Sequence, residues 1–290
     1  MTLPSFLIIG AMKSGTTTLF HDLRKNPNIF IPEDKELENL ISDTVLSTTG
    51  VEEYEKYFAN AKSSQCCGEA STAYTKLPDI CGVPKRAYET LGADIKLIYL
   101  VRNPVSRMIS HYHHIHSAGD IDLPIDEAIQ DCSELLNYSK YHKQLKPWIH
   151  QFGRDNVKVV IFESYVNDRH NTLLSICDFL GVEKSLEKIK EDSVFNKGDG
   201  KPINTAFFTK ISQSRMYRSC IRPLLSLSAR ATIKKLVLPK AKTKTKPSKE
   251  KLEWAVSQLQ ADMEQFRLLL DERALPWDVA SAPTQFSREY

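Results

Sequence analysis

No stretch near the start of this sequence is apolar for long enough to cross a bilayer, because the run Phe6-Leu7-Ile8-Ile9 is far short of a membrane span. It also lacks the basic segment and the cleavage site that mark a secretory leader. Charge of one sign is missing too. Thirty-nine Lys and Arg face 36 Asp and Glu, and the formal net charge of +3 is too small to make nucleic acid or an anionic membrane the main partner. Any anion site must therefore come from local placement of basic residues. The six cysteines, Cys66, Cys67, Cys81, Cys132, Cys177 and Cys220, form no CxxC pair, no Cys/His zinc spacing and no regular framework. That argues for a reduced, cytoplasmic setting without a structural metal. Internal repeats and long low-complexity segments are absent as well. What remains, at 41% hydrophobic and 26% charged over 290 residues, is an ordinary globular composition. One domain over 1–290 is expected, with no membrane anchor.

Four short apolar segments rich in β-branched or aromatic residues read as strands: Phe6–Gly10, a weaker Cys66–Glu69, Ile95–Val101 and Val157–Phe162. In the first, third and fourth the apolarity is continuous rather than alternating, the pattern of strands covered on both faces in a parallel sheet. Helical stretches near Thr16–Lys25, Pro104–His116, Ile125–Cys132, Lys140–Phe152 and Thr172–Leu180 supply the crossovers. The fold class is α/β, a three-layer sandwich around a central parallel sheet. Beyond about residue 203 the chain reads as a helical C-terminal part, with a helix over Phe207–Leu238 and a basic, proline-bounded loop at 239–251. A last helix over Lys249–Asp271 carries Leu252, Val256, Leu259, Met263, Phe266 and Leu270 on one face as packing surface.

The stretch Gly10-Ala11-Met12-Lys13-Ser14-Gly15-Thr16-Thr17-Thr18-Leu19 ends a strand in a turn of small residues and runs into a helix. Free backbone N–H groups and the positive helix end converge there, which suits a phosphate or sulfate. Lys13 adds a charge, and Ser14, Thr16, Thr17 and Thr18 add hydroxyls. This is not the nucleotide-triphosphatase loop, whose lysine follows the second glycine and precedes the magnesium-holding Ser/Thr. Here Lys13 precedes Gly15, and the strand at Lys96–Val101 ends in Arg102 instead of a metal-binding aspartate.

Lys13-Ser14-Gly15-Thr16-Thr17 after an apolar strand resembles the 5′-phosphosulfate loop of sulfotransferases that use 3′-phosphoadenosine 5′-phosphosulfate (PAPS). Arg102-Asn103-Pro104, with Ser110 eight residues after Arg102, is similar to that family's 3′-phosphate element. Gly68-Glu69-Ala70-Ser71-Thr72-Ala73-Tyr74 resembles its GE-S/T-P-x-Y segment, with Thr72 in place of the usual proline. Tyr138–Phe152 resembles its Y-x-x-x-L-x-x-W block, and Asn196–Pro202 its late Lys-Gly loop, with Asp199 where a basic residue is usual. The likeness covers about residues 5–202, in the family's order. It implies the P-loop-like α/β fold, PAPS as donor and 3′-phosphoadenosine 5′-phosphate (PAP) as product, with no metal. Donor contacts fall to Lys13, Ser14, Gly15, Thr16, Thr17, Thr18, Lys35, Arg102, Ser110, Lys197, Gly198, Gly200 and Lys201.

Sulfuryl transfer needs a base for the acceptor's proton and a cation for the departing phosphate oxygen. Lys13 is the cation. The segment Lys35-Glu36-Leu37-Glu38-Asn39-Leu40 is similar to the family's K-E-x-H-F-F block, which makes Glu36 the base and Glu69 the second candidate. Glu38, Glu69, Ser71, Tyr74 and Tyr138 are read as acceptor-side residues. His111, His113, His114 and His116 are read as helix-surface or pocket-rim residues. Replacement of His-Phe-Phe by Glu38-Asn39-Leu40 points to a polar or cationic small-molecule acceptor, for instance a natural product bearing an amine or guanidinium. The rivals are a magnesium-dependent phosphoryl transferase and a nucleotide-binding scaffold without turnover.

Overall fold

The computed structural model describes residues 2–185, 245–270 and 275–287. Five parallel strands, β1 (Phe6–Gly10), β2 (Ile29–Phe30), β3 (Cys66–Ala70), β4 (Lys96–Val101) and β5 (Val157–Ile161), lie in the order β2-β3-β1-β4-β5. Consecutive side chains of a strand point to opposite faces, and both faces of β1 and β4 are buried. Leu7, Ile9, Leu97, Tyr99 and Val101 pack on one side. Phe6, Ile8, Ile98 and Leu100 pack on the other. This is why their sequence is apolar without alternation.

Helices α1 (Thr16–Leu23), α2 (Thr48–Lys56), α3 (Val83–Leu91), α4 (Pro104–Ala118), α5 (Ile125–Asp131), α6 (Ser133–Asn137), α7 (Tyr141–Phe152), α8 (Phe162–Asn167) and α9 (Arg169–Leu180) follow in chain order, and both sides of the sheet are covered. On one face lie α4 (Pro104–Ala118) and α7 (Tyr141–Phe152), with Met108, Leu145 and Trp148 in the core. On the other lie α1 (Thr16–Leu23) and α9 (Arg169–Leu180), through Leu19, Leu23, Leu173 and Ile176. Gly68 is required by close approach, since a Cβ there would lie 2.1 Å from the Phe6 ring. Expected strands and crossover helices agree with these elements to within a few residues. The two-residue β2 and the helices Thr48–Lys56, Val83–Leu91 and Phe162–Asn167 were not legible, being short or built on polar residues.

The long helix Lys249–Leu269 buries Leu252, Leu259, Met263 and Phe266 as its spacing predicts, with Ala255 fully buried and Val256 at the margin. Phe266 packs 5.5 Å from Tyr141, between ring centroids. Asp262 of the same helix accepts from the backbone N–H groups of His142 and Lys143 at 3.0 and 2.9 Å, satisfying donors in the first turn of α7. The expected helix at 207–238, residues 239–244 of the basic loop, and Lys197, Gly198, Gly200 and Lys201 lie outside the described residues.

Beneath the anion loop, α1 is tied down by a buried ion pair. Asp22, 0% exposed, accepts from Arg169 Nε and Nη2 at 2.6 and 2.7 Å and from the Tyr165 hydroxyl. The loop's helix is thereby fixed to α9.

Candidate active site

Strands β1, β2, β3 and β4 deliver their loops from their C-terminal ends, the edge where α/β sheets bind ligands. The β1 loop begins at Gly10, where an added Cβ would lie 2.1 Å from Thr75 Oγ1. Lys13 sits in the left-handed region at φ 68°, and Gly15, at φ 93°, starts α1 with no side-chain cap. The Thr16 and Thr17 N–H groups are therefore left for an outside acceptor, while that of Thr18 donates to the Gly15 carbonyl at 3.0 Å. Ser14 is 0% exposed and its hydroxyl makes no hydrogen bond of ordinary geometry, although the Tyr141 phenol lies beside it. Thr16 and Thr18 are buried, whereas Thr17 is half-buried. An uncapped helix end with a buried hydroxyl lacking a hydrogen bond fits a bound phosphate or sulfate group.

From β4 come Arg102 and the start of α4. Asn103 caps that helix, its side chain accepting from the N–H groups of Val105 and Ser106 at 3.1 Å each, and Pro104 takes the first helical position. The Arg102 guanidinium stands over the Phe162 ring at 5.2 Å. The same ring faces Gly15, where a Cβ would approach it to 2.6 Å. Phe162 thus lies between the phosphate loop and the second anion anchor. Ser110 is half-buried on α4. Tyr141 donates to the Arg102 carbonyl at 2.7 Å, and burial pushes its phenol up to about 12. Tyr141 is the tyrosine of the Tyr141-x-x-x-Leu145-x-x-Trp148 spacing, which could have singled it out ahead of Tyr138. Phe162 carried no signal.

The loop after β2 holds the acidic candidates Glu36 and Glu38 and packs against the segment leaving β3. Glu36 and Glu38 adopt φ 62° and 60°, and with Lys13 they are the non-glycine residues of positive φ among those described. Such conformations cost about 1–3 kcal/mol each and persist only where surrounding contacts over-determine them. Those contacts are present. The Glu36 N–H donates to the Ala70 carbonyl at 2.9 Å, the Glu38 N–H to Ser71 Oγ at 3.2 Å, and the Leu40 N–H to the Tyr74 hydroxyl at 3.5 Å. The Glu36 carboxylate pairs with Lys35 Nζ through Oε1, and its Oε2 accepts from the Thr72 N–H at 2.6 Å and Thr72 Oγ1 at 3.1 Å. Glu36 keeps 32% of its side chain exposed.

Glu69 lies behind this loop, 1% exposed, and accepts from the Tyr54 hydroxyl at 2.6 Å. Burial raises its carboxyl above the ordinary range against the opposing hydrogen bonds of Tyr54, Tyr74 and Ser71. Ser71 and Tyr74 are also buried. Glu36, Glu38, Glu69, Ser71 and Tyr74 therefore form one cluster. Tyr138 stands apart from it, donating to Asp79 Oδ2 at 2.7 Å and stacking on His111 at 5.6 Å.

That stack corrects the reading of the histidines. His111 is 3% exposed rather than on the helix surface, and burial with the nearby Arg107 charge lowers it to about 2. Its neighbours divide, His114 being exposed while His113 and His116 are half-buried. The reason is helical phase: His111 follows Arg107 by one turn on the inward face of α4. A cavity of about 250 Å³ opens beside Tyr74, Gln144 and Trp148, and none of Lys13, Glu36, Arg102 and Ser110 lines it. No group of three metal-ligating side chains is found among the described residues.

Sheet order and loop together define an α/β anion-binding protein of the P-loop-like class, with a cation placed where that class usually keeps a metal-binding carboxylate. The profile described as "Sulfotransferase domain" matches residues 3–222, and the chain belongs to that family. Mouse heparan sulfate glucosamine 3-O-sulfotransferase 3B1 is 28% identical over 210 residues, 69% of this chain and 51% of that protein. The Dictyostelium discoideum membrane-associated sulfotransferase kil1 is 37% identical over 116 residues, 39% of this chain and 23% of that protein. The chain thus spans about half or less of the length of these two curated relatives. Among solved structures, a sulfotransferase from Alicyclobacillus acidocaldarius matches with TM-score 0.58 and 26% identity, over 68% of this chain and 88% of that one. The sulfotransferase domain from the curacin biosynthetic pathway shares the fold, with TM-score 0.53 and 16% identity over 95% of this chain and 99% of that one. No helix among the described residues is long and apolar enough to cross a membrane.

Proposed function

We propose that this protein is an enzyme, a sulfotransferase that moves a sulfuryl group from PAPS to a hydroxyl or amine of a small-molecule acceptor, acting as one domain. The observation that carries this reading is the Glu36 carboxylate, held by Thr72 at the end of β3, the strand paired with the one that delivers Lys13.

PAPS supplies the sulfuryl group and departs as PAP. Its 5′ end fits the Thr16 and Thr17 N–H groups at the start of α1, Lys13 and the Ser14 hydroxyl. Its 3′-phosphate fits Arg102 and Ser110. Glu36 takes the proton from the acceptor oxygen or nitrogen, whose lone pair then forms the bond to sulfur. As the sulfur–oxygen bond to phosphate breaks, Lys13 neutralises the charge left on that oxygen. Glu69 is the poorer base, because it is enclosed and its carboxyl already serves Tyr54.

Acidic Glu33, Asp34 and Glu38 around Glu36 favour a polar or cationic acceptor, such as an amine-bearing natural product. A cytoplasmic location agrees with the five described cysteines, all of which are free thiols. Incubation with PAPS and a mixture of hydroxyl and amine acceptors, followed by mass spectrometry, tests the reading: sulfated product and PAP are expected. ATP and magnesium supporting transfer while PAPS does not would replace it with phosphoryl transfer.

A further inference from the structure

Thr72 stands where the family pattern has proline, and proline could give neither of the two hydrogen bonds that Thr72 makes to Glu36. The backbone N–H at 2.6 Å and Oγ1 at 3.1 Å both reach Oε2. A carboxylate oxygen offers two lone-pair sites, so these two donors saturate Oε2. Oε1 is left with Lys35 and one open site. Thr72 is itself held firmly: it is 8% exposed and opens the 3₁₀ helix Thr72–Thr75, which Thr75 Oγ1 anchors to the Ile9 carbonyl of β1 at 2.8 Å.

We propose that Thr72 is a positioning residue for the reaction. It locks Oε2 of Glu36, so that Oε1 alone faces the acceptor and takes its proton. The device substitutes side-chain and backbone donors for the rigidity of a proline, and it holds a carboxylate whose own backbone is in the left-handed region. The inference rests on Glu36 being the base.

Three substitutions separate the contributions. Thr72→Ser keeps both donors, Thr72→Val keeps the N–H alone, and Thr72→Pro removes both. The backbone ahead of the site admits proline. Ser71 is extended at φ −133° and ψ 110°, which suits a residue before proline, and the first position of a helical turn tolerates one. Thermal melting checks that each variant folds.

The first readout needs no donor. In ¹⁵N–¹H spectra the Thr72 amide proton is expected well downfield, moving upfield in Glu36→Gln and staying downfield in Thr72→Ser. The second is consumption of PAPS with the fixed acceptor mixture. Thr72→Pro should lower turnover by about 10²-fold, the scale for misplacing a reacting group, while the KM for PAPS and the calorimetric Kd for PAP stay within about twofold. Thr72→Val should fall between, and Thr72→Ser should restore turnover. In a Glu36→Gln background, Thr72→Pro should add nothing.

Wild-type turnover in Thr72→Pro, with Glu36→Gln slow, overturns the proposal and leaves Glu36 as the base. An equal loss from Thr72→Pro in both backgrounds overturns it too, since Thr72 would then act without Glu36. Normal turnover of Glu36→Gln alone removes the base reading, and the proposal falls with it.

Discussion

The guanidinium of Arg102 lies 5.2 Å above the ring of Phe162, and that ring also faces the backbone of Gly15. One aromatic side chain at the end of β5 thereby spaces two anion anchors that are 87 residues apart in sequence, from position 15 to position 102. Its face also favours the cation through its quadrupole. This spacer sets the distance between the two anchors proposed for the donor's phosphates.

Arg102→Ala should cost roughly 2–4 kcal/mol of PAP affinity, the scale for truncating one side of a desolvated charged contact. Calorimetry should also show PAP binding more tightly than the nucleotide lacking the 3′-phosphate. Equal affinities for the two would remove Arg102 and Ser110 from the 3′-phosphate site.

Glu36→Gln should leave PAP binding intact and lower turnover by about 10²–10⁴, the usual contribution of a positioned base. Glu69→Gln, whose amide oxygen can still accept from Tyr54, should stay within about tenfold of wild type. The reverse ranking, measured in the same PAPS assay, would move the base to Glu69.

Activity should survive EDTA, because Lys13 and the backbone N–H groups of α1 carry the neutralisation that a divalent ion supplies in phosphoryl transfer. Loss of transfer on chelation, restored by magnesium, contradicts this.

Asp22→Asn should destabilise the fold by about 3–5 kcal/mol in urea denaturation, since it leaves the Arg169 charge buried without its partner. PAP affinity should weaken in parallel, because Asp22 anchors the helix whose first turn is proposed to hold the donor's 5′ end. A shift of less than about 0.5 kcal/mol, the range of ordinary surface changes, would show that the pair holds nothing.

His111 gives the folded protein a pH dependence with a defined sign. Its folded value of about 2 lies below the ordinary 6.5, so the unfolded chain binds the proton more readily. The neutral ring's contribution is present above 6.5 and is lost progressively as pH falls below it. Going from pH 7 to pH 5 should cost the wild type about 2 kcal/mol more than His111→Phe, which keeps the stack on Tyr138. Parallel pH profiles of urea midpoints in the two proteins would rule this out.

Four of the five strands, the crossover helices and the anion loop were legible because each is written locally. A run such as Leu97–Val101 is apolar on both faces whatever the rest of the chain does. Lys13 and Gly15 declare a phosphate turn by type and order alone. The inward turn of His111, the seclusion of Glu69 and the reach of Tyr141 to Arg102 depend on helix phase and on which elements pack together. Phe162 between Gly15 and Arg102, and Thr72 against Glu36, join segments distant in sequence. Residue types and their local order were enough to name the groups able to bind an anion or carry a proton. Which of these groups face one another came from the packing, because contacts between loops leaving neighbouring parallel strands are set by the sheet order, and no local pattern encodes it.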